Sequence, residues 1–253
     1  MIIYGINPVL EALRAGRVDT IRVSRRGDAR LGGIVEAAKN AGVAITRVEA
    51  NELDRAAHGG VHQGVVALVQ DRDSFGLDDL VSPATSSAGA PLIVVLDGIE
   101  DPHNVGAILR TVDAAGASGV VRQQRHAAPL GGAAAKASAG AVSHVKVADV
   151  VNIARALEEL KEAGVWTVGL AGDAGKRYDE VDLSLPTALV VGAEGTGLRR
   201  LVRERCDWLV SIPMQGHVQS LNVSVALGVA LFEAVRQRKR GPGTGGIPTT
   251  SKR

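Results

Sequence analysis

Apolar residues in this chain come in two patterns. Short runs of four to six fall between turn residues, and elsewhere apolar positions return every three or four residues. The first pattern predicts strands and the second amphipathic helices. Over the first 70 residues they alternate and predict a small α/β unit. Asn7-Pro8 pairs a capping side chain with a proline and predicts the start of a short helix that closes at Gly16. Residues 20–24 read as a strand, 31–41 as a helix closed by Gly42, and 43–48 as a second strand. Asn51 is placed to cap another short helix, and residues 64–70 form a β-rich run.

Residues 71–90 lose the apolar periodicity and gain Ser, Pro, Gly and Asp, the composition of a linker. From residue 91 the alternation restarts. Strands are predicted at 92–96, 119–121, 165–170, 188–191 and 208–212. Helices are predicted near 104–115 and at 152–163, 197–205 and 222–238. Short apolar strands separated by helices predict a mostly parallel sheet covered on both faces. Residues 241–253, GPGTGGIPTTSKR, read as a disordered tail. The expected plan is a small domain at 1–70, a linker at 71–90, a larger α/β domain at 91–240, and the tail.

Composition narrows the partners. Only 2% of residues are aromatic, which argues against binding single strands on stacking platforms. The lone Cys206 excludes an internal disulfide and any site with several cysteine ligands, and fits a reducing cytoplasm. No apolar run approaches the roughly 18 residues of a membrane span, and no secretory signal opens the chain, so no membrane partner is expected. His103, His126 and His217 have no ligand-like spacing, so no metal site is expected either. The net charge of +2 does not announce a nucleic-acid binder, but its distribution is uneven. Arg22, Arg25, Arg26 and Arg30 lie close together. Arg199, Arg200, Arg203 and Arg205 form a second cluster, and the segment from Arg236 onward is basic without an acid. Such clusters can neutralise phosphates, and the plainer reading of any one of them is a solvated helix face or tail.

The chemistry concentrates at 188–224, where an apolar run enters Gly192-Ala193-Glu194-Gly195-Thr196-Gly197 and a second strand ends at Ile212-Pro213 before a Ser/Asn-rich loop. Two such loops at adjacent strand ends build a pocket from backbone amides and small polar groups, suited to a nucleotide-like cofactor. The spacing is G-x-x-G-x-G rather than the dinucleotide G-x-G-x-x-G, and no acid follows to bind a ribose, which weakens a nicotinamide dehydrogenase. Neither this turn nor residues 172–176 ends in the Lys-Ser/Thr of a P-loop.

Together with LDGIEDPHNVGAILR at 96–110, these stretches make three motifs. They are Asn104-Val105-Gly106 with Arg110, Gly192-Ala193-Glu194-Gly195, and Ile212-Pro213-Met214 with Ser220-Leu221-Asn222-Val223-Ser224. In order and spacing they resemble the SpoU family of RNA ribose 2′-O-methyltransferases, within the SPOUT superfamily. The opening Ile3-Tyr4-Gly5-Ile6-Asn7-Pro8-Val9 is similar to the start of that family's small ribosomal-protein-like RNA-binding domain. The resemblance implies a parallel α/β sheet with a C-terminal trefoil knot, S-adenosylmethionine bent within the knot, and a homodimer.

It also implies roles. Arg110 matches the family's key catalytic arginine. Helical periodicity sets it nearly opposite Val105, Ile108, Leu109 and Val112, where an ordinary exposed arginine is the plainer reading. Asn104 at a helix start could simply be its N-cap, and in the family it orients the ribose or the arginine. Glu194 could merely complement a helix dipole, and in the family it belongs to the active-site turn. Ser220 and Asn222 could cap the last helix, and the matching family positions help bind substrate and cofactor. Gly192, Gly195, Ile212, Met214 and Leu221 are expected around S-adenosylmethionine. Arg22, Arg25, Arg26 and Arg30 are expected to contact RNA. The resulting reading is a cytoplasmic, S-adenosylmethionine-dependent enzyme that methylates a ribose 2′-hydroxyl in RNA, with a guanosine of 23S rRNA favoured. A tRNA guanosine or ribosomal adenosine (resistance-type) methyltransferase, or an RNA-binding protein without catalysis, remain the alternatives.

Overall fold

The computed structural model describes residues 1–26, 29–70, 75–82, 89–125 and 127–240. The expected tail at 241–253, residues 71–74 and 83–88 of the expected linker, and His126 lie outside the described residues. The chain divides into two compact units. The first comprises residues 1–73, 101–113 and 128–145, and the second residues 74–100, 114–127 and 146–253.

The first unit is built on a four-stranded sheet of β1 (Ile2–Tyr4), β2 (Val18–Ser24), β3 (Ala44–Val48) and β4 (Val65–Val69), in the order β1-β4-β2-β3. β4 is antiparallel to both neighbours, and β2 and β3 run parallel. Three helices connect the strands: α1 (Ile6–Arg14), α2 (Gly32–Asn40) and α3 (Ala50–Ala56). Tyr4, Val48, Leu53, Ala57 and Val66 form one core cluster.

Two helix starts differ from the expectation. α1 begins at Ile6, and Gly5 at φ 98° precedes it. Its first amide donates to Gln63 Oε1 at 3.0 Å rather than to an asparagine cap. α3 is opened by Glu49, whose amide donates to Glu52 Oε1 at 3.4 Å, so Asn51 is a helical residue and not the cap. In both cases a distant or acidic side chain satisfies the orphan amides that the nearby asparagine was expected to serve.

The remainder of this unit includes most of α5 (Pro102–Ala115) and α6 (Gly132–Ala137). The N-cap of α5 is Asp101, whose carboxylate accepts from the amides of His103 at 3.1 Å and Asn104 at 3.3 Å. Asn104 is therefore not the cap, and the helix starts two residues earlier than predicted. Gly106 lets α5 and α6 approach closely. A Cβ there would lie 2.5 Å from Ala137 Cβ and 2.6 Å from Ala134 O.

The second unit carries a seven-stranded sheet in which every pairing is parallel. Its strands are β5 (Leu92–Asp97), β6 (Gly119–Gln123), β7 (Val147–Val150), β8 (Trp166–Leu170), β9 (Lys176–Arg177), β10 (Thr187–Gly192) and β11 (Trp208–Ser211). The spatial order is β7-β6-β5-β10-β8-β11-β9. Thus β10 is inserted between β5 and β8, and β11 between β8 and β9. β5 is buried at every position, as befits a parallel strand covered on both faces.

Among the described residues this unit carries α4 (Asp78–Val81), α7 (Ile153–Glu162), α8 (Arg200–Arg205) and α9 (Val223–Arg240), with the last residues of α5. Leu80, Ile93, Val95, Val121, Leu157, Leu160, Val190 and Val202 share one core cluster. Each such side chain contributes about 1.5–3 kcal/mol on burial. Leu80 lies inside the stretch read as a linker. There, Phe75 bridges to Ala148 and α4 delivers a fully buried leucine to the core, so the described part of 71–90 is structured. Among the described residues, no helix is long and apolar enough to cross a membrane.

Candidate active site

The carboxyl ends of the adjacent strands β10, β8 and β11 meet the start of α9 around a pocket of about 670 Å³. That volume falls within the roughly 300–1,000 Å³ of small-molecule sites, and the position is where open α/β sheets bind ligands. β8 contributes Leu170, Ala171 and Gly172, and the turn after β10 contributes Gly192 to Gly195 and Gly197. The loop after β11 contributes Ile212 and Met214, and the approach to α9 contributes Ser220, Leu221 and Asn222.

The glycine turn is closed on itself. Gly197 N donates to Ala193 O at 2.9 Å, and Gly195 and Gly197 hold φ of 80° and 67°, where side chains with a Cβ are strained. A Cβ on Gly192 would sit 2.1 Å from Gly197 C and 2.2 Å from its O. The opening glycine of the motif is thus required by close backbone approach, and the turn presents main chain to the pocket.

Glu194 on this turn reaches α9. Its Oε1 accepts from Asn222 Nδ2 at 2.7 Å, while Asn222 Oδ1 accepts from Ser224 N at 2.9 Å and Ser224 Oγ at 2.6 Å. Asn222 therefore caps α9 and joins the cap to the turn, so its structural and site readings hold together. The structure brings Gly192, Glu194, Gly195, Ile212, Met214, Ser220, Leu221 and Asn222 to one pocket.

The remaining predicted residues stand in the other compact unit. Asn104 on α5 is buried and Arg110 exposed, with Val105, Ile108, Leu109 and Val112 all buried, as the periodicity predicted. Arg22, Arg25, Arg26 and Arg30 are exposed, and Arg25 forms a 3.3 Å surface ion pair with Glu49, a contact of little energetic weight.

The second arginine cluster is accounted for internally. Arg199 pairs with Asp97, Arg200 with Glu204, Arg203 with Asp173 and Arg205 with Glu158. Hydrogen bonding to Arg203 holds the Asp173 carboxyl below its usual range. Arg236 pairs with Glu233, and Arg238 donates to the carbonyls of Leu183, Ala90, Pro91 and Leu185. These arginines are engaged within the fold, and Arg199, on a wholly buried carboxylate, is more than part of a solvated face.

Sequence reasoning missed Asp97, a wholly buried carboxylate at the end of β5 inside the first motif. Its acidic type at the end of a continuous apolar run was the available signal. Cys206 packs against the same core, and burial pushes its thiol up to about 12, which leaves no thiolate nucleophile near neutral pH.

A pocket at parallel strand ends, with apolar Ile212, Met214 and Leu221 beside a tight glycine turn, is of the kind in which open α/β folds bind nucleotide-like ligands. Comparison with known proteins narrows this class. The family model described as SpoU rRNA Methylase family matches residues 91–232, and that described as RNA 2′-O ribose methyltransferase substrate binding matches residues 2–74. The chain belongs to the SpoU rRNA methylase family and is an S-adenosylmethionine-dependent RNA 2′-O-methyltransferase.

Among its relatives, the 23S rRNA (guanosine-2′-O-)-methyltransferase RlmB of Pseudomonas syringae is 47% identical over 248 residues, covering 95% of this chain and 98% of the relative. The protein of the same name from Yersinia pestis is 45% identical over 241 residues, covering 94% and 97%. Among solved structures, the SpoU methyltransferase AviRb from Streptomyces viridochromogenes, in complex with the cofactor AdoMet, superposes with a TM-score of 0.77. It is 26% identical and covers 95% of this chain and 91% of that one. An AdoMet-bound rRNA methyltransferase from Sinorhizobium meliloti gives 0.74 at 26% identity, covering 93% and 86%.

Proposed function

We propose that this enzyme methylates the 2′-hydroxyl of a guanosine in 23S rRNA. Support comes from relatives of that name matched across nearly their whole length, and from residues of the second and third motifs lining one pocket. S-adenosylmethionine fits the pocket by volume, by the main chain that Gly192 brings close, and by its apolar wall. When bound, it supplies a methyl group already activated on a sulfonium.

Gly192, Gly195, Ile212, Met214 and Leu221 hold the cofactor, and Glu194, Ser220 and Asn222 shape the face toward the ribose. The ribose oxygen that would take this methyl group would give up its hydroxyl proton to solvent water. Arg110 keeps its own proton, because a guanidinium has no free lone pair and a pKa above about 12. Its role is to grip a phosphate beside the target ribose and stabilise the developing alkoxide, with Asn104 orienting the ribose. Arg110→Lys is therefore expected to lower kcat by about 100-fold or more with RNA binding largely kept. A variant that retains most of its kcat on saturating RNA would remove the bidentate role.

Residues 1–70 form the RNA-binding domain, with Arg22, Arg25, Arg26 and Arg30 on phosphates, and residues 91–240 the catalytic domain. The family-model matches at 2–74 and 91–232 support this division. The insertion of β10 and β11 between earlier strands supports a trefoil knot closed by α9. Exposed Val225 and Phe232, two turns apart on α9, support a homodimer. An rRNA substrate and a single free cysteine support a cytoplasmic location.

The deciding experiment is transfer of labelled methyl to unmodified 23S rRNA and to total tRNA, followed by nucleoside analysis. Label in 2′-O-methylguanosine of 23S rRNA is the expected result. Label in tRNA or in methyladenosine would overturn the substrate while keeping the chemistry.

A further inference from the structure

Asp97 ends β5 directly across from Gly192 in the sheet register. Its carboxylate, fully buried, accepts from Arg199 N at 2.8 Å and Nε at 2.6 Å, with the ion pair to Nη2 at 2.5 Å. Arg199 Nη2 also donates to Gln123 Oε1 at 2.9 Å, at the end of β6. One arginine therefore crosses the carboxyl ends of β10, β5 and β6.

These strands are already joined by their own ladders, so the buried charge is not needed to pair them. Burying a carboxylate is unfavourable unless it is closely paired and hydrogen-bonded, and apolar replacements often serve stability equally well. What the pair holds is residue 199, the point where the glycine turn is released into α8. A further constraint on the turn is the close approach of Gly192 to Gly197. Between these two points stand Ala193, Glu194 and Gly195, which line the pocket, whereas Asp97, Gln123 and Arg199 do not.

We propose that Asp97 and Arg199, braced by Gln123, are positioning residues. They hold the turn in its cofactor-binding shape and aim Glu194 at Asn222 without touching the cofactor. This rests on the reading of the pocket as the S-adenosylmethionine site. Backbone that must present several groups at once loses affinity when it shifts, and misplacement by about 1 Å can cost a hundredfold.

The test uses the full-length enzyme and three variants: Arg199→Lys, the neutral pair Asp97→Asn/Arg199→Met, and Arg155→Met on α7 as a remote control. Calorimetric affinity for S-adenosylmethionine, separate KM values for cofactor and RNA, kcat at saturation, and thermal unfolding are measured for each. Arg199→Lys should raise Kd and KM for the cofactor about tenfold, with KM for RNA and kcat changed less than about twofold. The neutral pair should lose at least as much cofactor affinity even where its melting temperature is retained, and Arg155→Met should match wild type. Wild-type cofactor affinity in a folded neutral pair would overturn the proposal. So would an equal loss of every parameter in step with stability. Failure of the wild-type enzyme to bind S-adenosylmethionine would overturn the reading of the pocket, and the positioning role with it.

Discussion

Gly192 has no room for a side chain, because the backbone of Gly197 and Leu198 lies where a Cβ would be placed. Gly192→Ala must displace main chain on one side of the pocket. The expected result is loss of measurable S-adenosylmethionine binding by calorimetry, with the protein still folded by circular dichroism. Cys206 gives a residue-scale prediction in pH. Burial raises its thiol from 9.0 to about 12, so the folded state favours the protonated form. Its contribution is complete below pH 9, where both states are protonated. It is lost as pH rises from about 9 toward 12, because the unfolded chain ionises first. Chemical denaturation across that range should show stability falling with pH, and Cys206→Ala should flatten the slope.

At the scale of elements, α9 is fastened at both ends. Asn222 caps its start and ties it to the glycine turn, while Leu227, Ala230, Leu231 and Ala234 are buried along its length. Near its end, Gln237 accepts from Leu183 N at 2.8 Å and donates to Val181 O at 3.2 Å. Arg238 satisfies carbonyls from the segments that lead into β5 and β10. Partial burial lowers the Arg238 pKa, yet its five fixed donors suit a cluster of carbonyls that no lysine could span. Arg238→Met should destabilise by about 1–3 kcal/mol in urea unfolding, the cost of leaving such carbonyls without donors. Arg238→Lys should recover only part of that loss.

For the whole molecule, a net charge of +2 means that RNA must be recognised through local clusters. The arginines after the glycine turn are paired with acids, as Arg25 is with Glu49, and the exposed arginines of residues 22–30 are the proposed phosphate contacts. The proposed homodimer makes its own prediction. Phe232 is 48% exposed on α9, two turns from exposed Val225, and would be covered in such a dimer. Phe232→Glu should shift sedimentation from a dimer to a monomer while leaving the melting profile of the monomer intact. An unchanged dimer would move the interface elsewhere.

The amino-acid sequence by itself determined the alternation of strands and helices, the glycine turn, and the buried face of α5. These follow from local periodicity and from residue types whose conformational limits travel with them, as Gly192 and Gly195 illustrate. Tertiary structure alone decided the rest. Helix caps moved from Asn7, Asn51 and Asn104 to Gly5 with Gln63, to Glu49, and to Asp101, because an orphan amide takes whichever acceptor the fold brings near. Leu80 entered the core from a stretch that local composition marks as loop. Strand order is likewise invisible to periodicity, since the insertion of β10 and β11 between earlier strands depends on contacts far apart in sequence. Asp97 and Arg199 are separated by 102 residues, and only the parallel register of β5 and β10 makes them a pair. Local pattern sets what each segment can form, and long-range packing sets which charges, caps and loops meet.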